Sequence, residues 1–138
     1  MRLTSAFSGC SNLASVTIPD SVTGIGSYAF DGCSSLTSVT IGNGVTSIGN
    51  YAFRNCSSLT SVTIPDSVTS IGDGAFYYCS SLTGVYITDL AAWCNIDFGD
   101  SYANPLYKAK NLYLNGSEIA GDIVIPAGVT SIPRYAFY

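Results

Sequence analysis

A 23-residue internal repeat constrains this chain more than any other feature. The dipeptide Ala6-Phe7 returns as Ala29-Phe30, Ala52-Phe53 and Ala75-Phe76, each 23 residues after the last. Four further columns keep the same step, and they begin at Cys10, Leu13, Val16 and Ile18. A chain with this periodicity folds as a stack of similar units, because no single unit can bury its apolar side chains alone.

Each unit has two halves with different periodicities. Ile25, Ala29 and Cys33 follow a spacing of four residues, which predicts one or two turns of helix. The run Ser38–Ile41 alternates, which predicts a short strand with every second side chain facing inward. Stacked units would pair these strands in parallel at about 4.8 Å. The phenylalanines of the repeat, Phe7, Phe30, Phe53 and Phe76, would then form an aromatic spine.

We interpret residues 1–138 as a single domain with three parts. Regular repeats occupy 1–88, an irregular expanded unit occupies 89–121, and a partial repeat resumes over 122–138. Within the irregular unit, Asp89 precedes a short helical pattern as an N-cap. Asn115-Gly116 is the strongest short signal for a hairpin turn. The sequence stops within a unit, and we expect a fragment of a longer protein.

Composition and charge exclude several classes of function. The net charge is −4 and the five basic residues are scattered, so we expect no nucleic-acid partner. The chain has no histidine, which removes the usual general base and the commonest metal ligand. No apolar run approaches the roughly 18 residues of a membrane span. We therefore predict neither an enzyme nor a cofactor or metal site, and no membrane insertion.

The cysteine column predicts buried free thiols. A straight row of side chains does not converge on one point, as zinc requires, and parallel stacking holds the Cβ atoms too far apart for disulfides. Cys94 lies outside the column, and we expect it to be the most exposed thiol.

Two surfaces are candidates for ligand binding. The outward face of the strands carries Thr17, Thr40, Thr63 and Tyr86, and the irregular unit carries Trp93, Tyr102, Tyr107 and Tyr113. Irregular loops on rigid scaffolds often carry function. Two other interpretations stay open. The hydroxyl-bearing face is also typical of an ordinary solvated sheet, and Trp93 and Leu112 are also suited to filling core.

The recurring pattern I-G-x-Y-A-F-x-x-C-S-S-L-T-S-V-T-I-P-D-S resembles the BspA-like leucine-rich repeats, also called the Treponema pallidum type. The resemblance covers residues 6–87 and 122–137. It implies an α/β solenoid, a right-handed leucine-rich-repeat stack with a parallel sheet on one face and short helical turns on the other. It also implies a bacterial protein that is secreted or attached to the cell surface, in some members as a host-matrix adhesin. The family fixes no catalytic residues.

The resulting hypothesis is a non-catalytic module that binds a protein or glycan of a host or neighbouring cell. The alternative is a structural spacer with no ligand of its own. Since an open end of a solenoid exposes apolar side chains and strand edges, we also expect self-association through uncapped ends.

Overall fold

The computed structural model describes residues 2–137 as a stack of short strands and turns. Two four-residue α-helices lie in the irregular unit, α1 (Leu90–Trp93) and α2 (Leu106–Ala109). The strands are β1 (Arg2–Leu3), β2 (Ser15–Ile18), β3 (Gly24–Ile25), β4 (Ser38–Ile41), β5 (Ser47–Ile48), β6 (Ser61–Thr63), β7 (Ser70–Ile71), β8 (Gly84–Ile87), β9 (Asp97–Phe98), β10 (Leu112–Leu114) and β11 (Ser117–Glu118).

Parallel ladders run along two sides of the stack. The two-residue strands form one sheet in the order β1-β3-β5-β7-β9. The longer strands form β2-β4 and β6-β8-β10, with β11 antiparallel at the outer edge of β10. In the regular units like pairs with like, as in Val16 with Val39 and Ser47 with Ser70. The repeat period thus sets the register, and the predicted solenoid is confirmed. The structure adds a second parallel ladder, of two-residue strands, to the single sheet that was predicted.

The segments between the short and long strands of the regular units are hydrogen-bonded turns and not continuous α-helix. Two residues in each segment have left-handed backbone, for example Tyr28 at φ 60° and Gly32 at φ 75°. The equivalent residues of the next unit, Tyr51 and Asn55, also have positive φ. An L-residue in this region ends a right-handed helix. Side chains spaced by four therefore reach the core through consecutive turns.

The predicted aromatic spine is confirmed. Successive rings of Phe7, Phe30, Phe53 and Phe76 are stacked with centroids 5.3, 5.3 and 5.4 Å apart. Phe30 and Phe53 are fully buried between their neighbours, whereas Phe7 at the end of the row is exposed. Burial of one such ring stabilises the fold by about 1.5–3 kcal/mol.

A row of thiols accompanies the spine. Sγ of Cys33 donates to the carbonyl oxygen of Phe7 at 3.2 Å, and Cys56 and Cys79 make the same bond to the unit before them. Burial raises the pKa of all three thiols, that of Cys79 to about 12. The prediction of buried free thiols is confirmed for these three. It is wrong for Cys10, which belongs to the first described unit and is exposed.

The irregular unit continues both sheets with a longer step. β9 pairs with β7 so that Asp97 faces Ser70, and β10 pairs with β8 so that Leu112 faces Val85, each a step of 27 residues. The additional residues lie between β8 and β9, where α1 is found. The predicted cap is confirmed, because a carboxylate oxygen of Asp89 accepts the N–H groups of Ala91 and Ala92.

The hairpin predicted at Asn115-Gly116 is also confirmed. It joins β10 to β11, and both turn residues have positive φ, 51° and 84°. After it, the described part of residues 119–137 contains turns but no strand. Ala136, which corresponds to the repeated alanines such as Ala75, is nonetheless buried, while Ile123 and Ile132 are exposed.

Candidate functional site

The outward face of the long strands carries the predicted row of hydroxyls. Thr17 pairs with Thr40, and Thr63 pairs with Tyr86 in the same column. The three threonines, here called the threonine row, are exposed, and Tyr86 is half-buried. The structure therefore places these four predicted residues on one surface.

Two tyrosines close this row at its C-terminal end. Tyr86 pairs with Tyr113, and their rings are stacked with centroids 4.5 Å apart and planes 10° apart. We call Tyr86 and Tyr113 the tyrosine pair. Gly84 replaces the serine of the other units, and a Cβ there would lie 3.1 Å from the Tyr86 ring and 3.3 Å from the Tyr113 ring. A side chain at 84 would therefore make both rings shift by a few tenths of an ångström, and the glycine relieves this crowding beneath the tyrosine pair.

Trp93 does not contribute to a binding surface, and that prediction is wrong. Its side chain is 1% exposed and packs edge-on against Phe98, with centroids 5.3 Å apart. The indole N–H donates to the carbonyl oxygen of Ala136 at 2.8 Å. The N-cap Asp89 sets the start of α1, so that Trp93 is the last residue of this helix. At that position its side chain lies in the core. The core-filling alternative holds for Trp93 and also for Leu112, which is buried.

The expectation for Cys94 is wrong as well. Cys94 follows α1 as its C-cap residue and is 5% exposed. Burial raises the pKa of its thiol, so this group is neither accessible nor activated.

Tyr102 and Tyr107 belong to a second cluster, on the turn side of the stack. The Tyr102 ring packs edge-on against Tyr107 at 4.6 Å and tilted against Tyr77 at 4.3 Å. Tyr77 in turn stacks on Tyr78 at 4.0 Å. The two predicted residues are therefore brought together with each other, but Tyr102 lies in a turn and Tyr107 in α2, apart from the threonine row.

Sequence reasoning missed Tyr77 and Tyr78, although the repeat carries the signal for them. Asp31 and Arg54 precede Tyr77 in its column, and Gly32 and Asn55 precede Tyr78 in the next. In the regular units the first column holds an ion pair, with Arg54 and Asp31 2.7 Å apart. These two adjacent positions are polar or glycine in the preceding units and become aromatic only at 77 and 78, which marks the place where the surface changes.

These tyrosines border a depression of about 250 Å³, here called the tyrosine groove, which is lined by Phe76, Tyr77, Tyr78, Cys79, Ser80, Tyr107 and Lys108. A hydrogen bond with the Tyr78 side chain raises the pKa of Tyr77 to about 12. Tyr107 raises the pKa of Tyr102. The phenols of Tyr77 and Tyr102 are therefore neutral in physiological solution and can donate or accept hydrogen bonds.

The described residues contain neither a metal-binding cluster nor a helix long enough to span a membrane. No cluster of three or more His, Cys, Asp or Glu side chains among residues 2–137 is arranged to hold a metal ion. Within the same range, every helix is too short to cross a lipid bilayer.

Comparison with known proteins gives one family and two solved structures. The model of the BspA type leucine-rich repeat region, with six copies, matches residues 4–99. The leucine-rich repeat protein of T. pallidum is 30% identical with a TM-score of 0.47, and the match covers 72% of this chain and 61% of that one. A leucine-rich cell surface protein of Faecalibacterium prausnitzii is 38% identical with a TM-score of 0.39, over 62% of this chain and 31% of that one. The chain therefore spans less than two thirds of the length of either structure. No curated protein matches it.

Proposed function

The chain belongs to the BspA type leucine-rich repeat family, and from this premise we propose that it is a non-catalytic binding module of a secreted or cell-surface protein. Its partner would be a protein or glycan of a host or neighbouring cell. The proposed location follows from the family resemblance. The absence of histidine supports the non-catalytic assignment, since no imidazole is present to activate a hydroxyl of the threonine row.

The tyrosine pair is the observation that carries this proposal. Half-exposed aromatic rings offer a large apolar area together with a hydroxyl, and few rotamers are lost when they contact a partner. Tyr86 and Tyr113 share this outward face with Thr63, and the gap in the serine column at Gly84 accommodates both rings. A solvated sheet face with no ligand would not need that departure from the repeat.

The contact would combine two chemistries. The stacked rings would bury the apolar part of the partner, and the threonine row would supply hydroxyl groups in register along the stack. Exposed hydroxyls both donate and accept hydrogen bonds, so they suit either a glycan or the backbone of an extended peptide.

A binding screen with a double variant tests the proposal. The folded domain is presented to matrix proteins and glycans, and each hit is measured again with Tyr86→Thr/Tyr113→Thr, which extends the threonine row as in Thr63. Residues at the centre of an interface typically contribute 2 kcal/mol or more, so we expect affinity to fall by about thirtyfold. The matched control is Tyr28→Ser, which copies Ser5 at an exposed position on the turn side.

Two outcomes would overturn the assignment. Hits that survive the double variant would place recognition elsewhere on the molecule. A folded domain with no hit at all would favour the spacer, for which the in-register ladders of the regular units are a suitable scaffold.

We also propose that copies of the chain associate through the last unit of the stack. The last unit carries several exposed apolar side chains, among them Val124 at 84% exposure, Ile132 at 53% and Phe137. β11 already covers the edge of β10, so apolar contact and not strand addition would drive the association. Light scattering over a range of concentrations tests this, and a monomer at every concentration would contradict it.

A further inference from the structure

The tyrosine groove is a second candidate site, separate from the tyrosine pair and the threonine row. We propose that it binds one carboxylate-bearing sugar ring, such as the acidic terminal unit of a glycan. This inference does not rest on the outward strand face, because its residues lie in the turns after β7 and around α2.

The size of the groove limits the ligand to a single ring. Its volume is about 250 Å³, below the roughly 300–1,000 Å³ of pockets that hold drug-sized ligands. The rings of Tyr77, Tyr78 and Tyr107 border it, and Ser80 adds a hydroxyl. Aromatic faces suit the apolar face of a pyranose, while phenol and serine hydroxyls suit its oxygen atoms.

The charge at the groove selects an acidic ligand. Lys108 lines the groove, and Nζ of Lys110 lies 5.8 Å from the centre of the Tyr107 ring. These are two of the five basic residues of a chain whose net charge is −4. Among residues 2–137 the ion pair joins Arg54 to Asp31, and Lys108 takes part in none. The Lys108 ammonium is therefore available to a ligand carboxylate, with which it would form a charge-assisted hydrogen bond.

The backbone at Tyr78 is the third observation. Its φ is 60°, a left-handed conformation that a bulky side chain adopts at a cost of roughly 1 kcal/mol. Gly32 and Asn55 hold the equivalent positions and tolerate that conformation better. The Tyr78 side chain is 60% exposed, so burial does not offset the cost. Tyr28 has the same φ of 60° but is less exposed, at 38%, and does not line the groove. What distinguishes Tyr78 is therefore its large exposed ring at the groove, and Tyr28 is its natural control.

Saturation-transfer NMR with small sugars tests the proposal. Glucuronic acid is the probe, and methyl glucoside is its neutral counterpart. Tyr78→Asn copies Asn55 and preserves the backbone, while Lys108→Gln removes the charge and keeps the stem. We expect transfer to glucuronic acid to require Tyr78, with affinity about tenfold lower in Tyr78→Asn. Lys108→Gln should lose the preference for the acid over the neutral sugar. Tyr28→Ser is the matched control and should bind as the unaltered chain does.

Other outcomes would overturn the proposal. Equal transfer to both sugars, or unchanged transfer in Tyr78→Asn, would rule out an acidic-sugar site in the groove. The proposal also fails if a tyrosine- or proline-bearing peptide occupies the groove and neither sugar does. Binding retained in Tyr86→Thr/Tyr113→Thr shows that the signal comes from the groove and not from the tyrosine pair.

Discussion

The regular units and the irregular unit bury apolar side chains by different means. In the regular units identical residues stack on one another, as in Phe30 and Phe53, whose ring planes are 5° apart. In the irregular unit single residues make contacts that occur once. Trp93 meets Phe98 edge-on, and its indole N–H supplies a donor to Ala136. The buried amide of Asn104 adds donors to Tyr135 and Ala136.

This difference suggests a division of roles: the regular units stabilise the fold, and the surface beside the irregular unit is where we place recognition. Where columns repeat, the backbone ladder satisfies its own hydrogen bonds and the outward strand positions carry the same threonine from unit to unit. Where the columns change, at Gly84, Tyr77 and Tyr78, the surface acquires clustered aromatic rings. Both candidate sites lie beside the irregular unit, because it supplies Tyr113 to one and Tyr107 to the other.

The largest effects on stability are expected for Trp93→Ala and Phe53→Ala, one in each region. Each removes a buried aromatic ring, and we expect each to lower the free energy of unfolding by about 3–5 kcal/mol. Urea denaturation measures the loss, and hydrogen exchange shows where it falls. Phe53→Ala should weaken protection throughout the regular units, while Trp93→Ala should release residues 99–137 first. Loss of protection over 24–88 in Trp93→Ala would show that the two regions unfold as one.

A smaller effect is expected from Asn104→Ala. Asn104 is fully buried and donates to two carbonyl oxygens, at 2.6 and 3.0 Å. Removing the amide leaves them without these donors, which should destabilise the chain by about 1–3 kcal/mol. The control is Asn50→Ala, which loses one bond at an exposed site and should cost about 0.5 kcal/mol. Equal losses in the two variants would contradict the role assigned to Asn104.

The thiols of the regular units predict an alkaline loss of stability. Burial raises the pKa of Cys79 from 9.0 to about 12, so its contribution is complete below pH 9 and is lost as the pH rises toward 12. Between about pH 10 and 11 the free energy of unfolding should fall by about 1.4 kcal/mol for this thiol. Urea denaturation of Cys79→Ala should show a correspondingly weaker pH dependence. An unchanged dependence would contradict the shift.

The smallest effects concern the outward face. Gly84→Ser restores the serine column, but its Cβ would press on both rings of the tyrosine pair. We expect a cost of about 1 kcal/mol and a change in the tyrosine near-ultraviolet circular dichroism as the rings move. Thr40→Ala, in the regular part of the same column, should change stability by less than about 0.5 kcal/mol. Undisturbed tyrosine signals in Gly84→Ser would show that the gap in the serine column is not needed.

The sequence predicted the features that depend on repetition or on local turn chemistry. The register, the phenylalanine spine, the Asp89 cap and the Asn115-Gly116 hairpin all follow from spacing or from one residue's conformational preference. The burial of Trp93 could not be decided from local sequence, because the carbonyl that accepts its indole N–H belongs to Ala136, 43 residues away. The role of Tyr77 and Tyr78 could not be predicted from the repeat, because they occupy positions whose residues vary between units. Their contact with Tyr102 and Tyr107 depends on a unit of 27 residues, a length shown by the strand pairings of Asp97 with Ser70 and of Leu112 with Val85 and not by any sequence motif.

The parallel ladders also determine how the molecule would respond to mechanical tension. Hydrogen bonds between like strands point along the stack. A pull on its two ends would therefore stretch the hydrogen bonds between neighbouring units and separate one pair of units at a time. A unit of 23 residues occupies about 4.8 Å of the stack but spans on the order of 70–80 Å when drawn out. Detaching a single unit would therefore relieve tension over a long distance while the remaining units stay folded. A chain anchored at one end and bound at the other would act as a stepwise extensible tether.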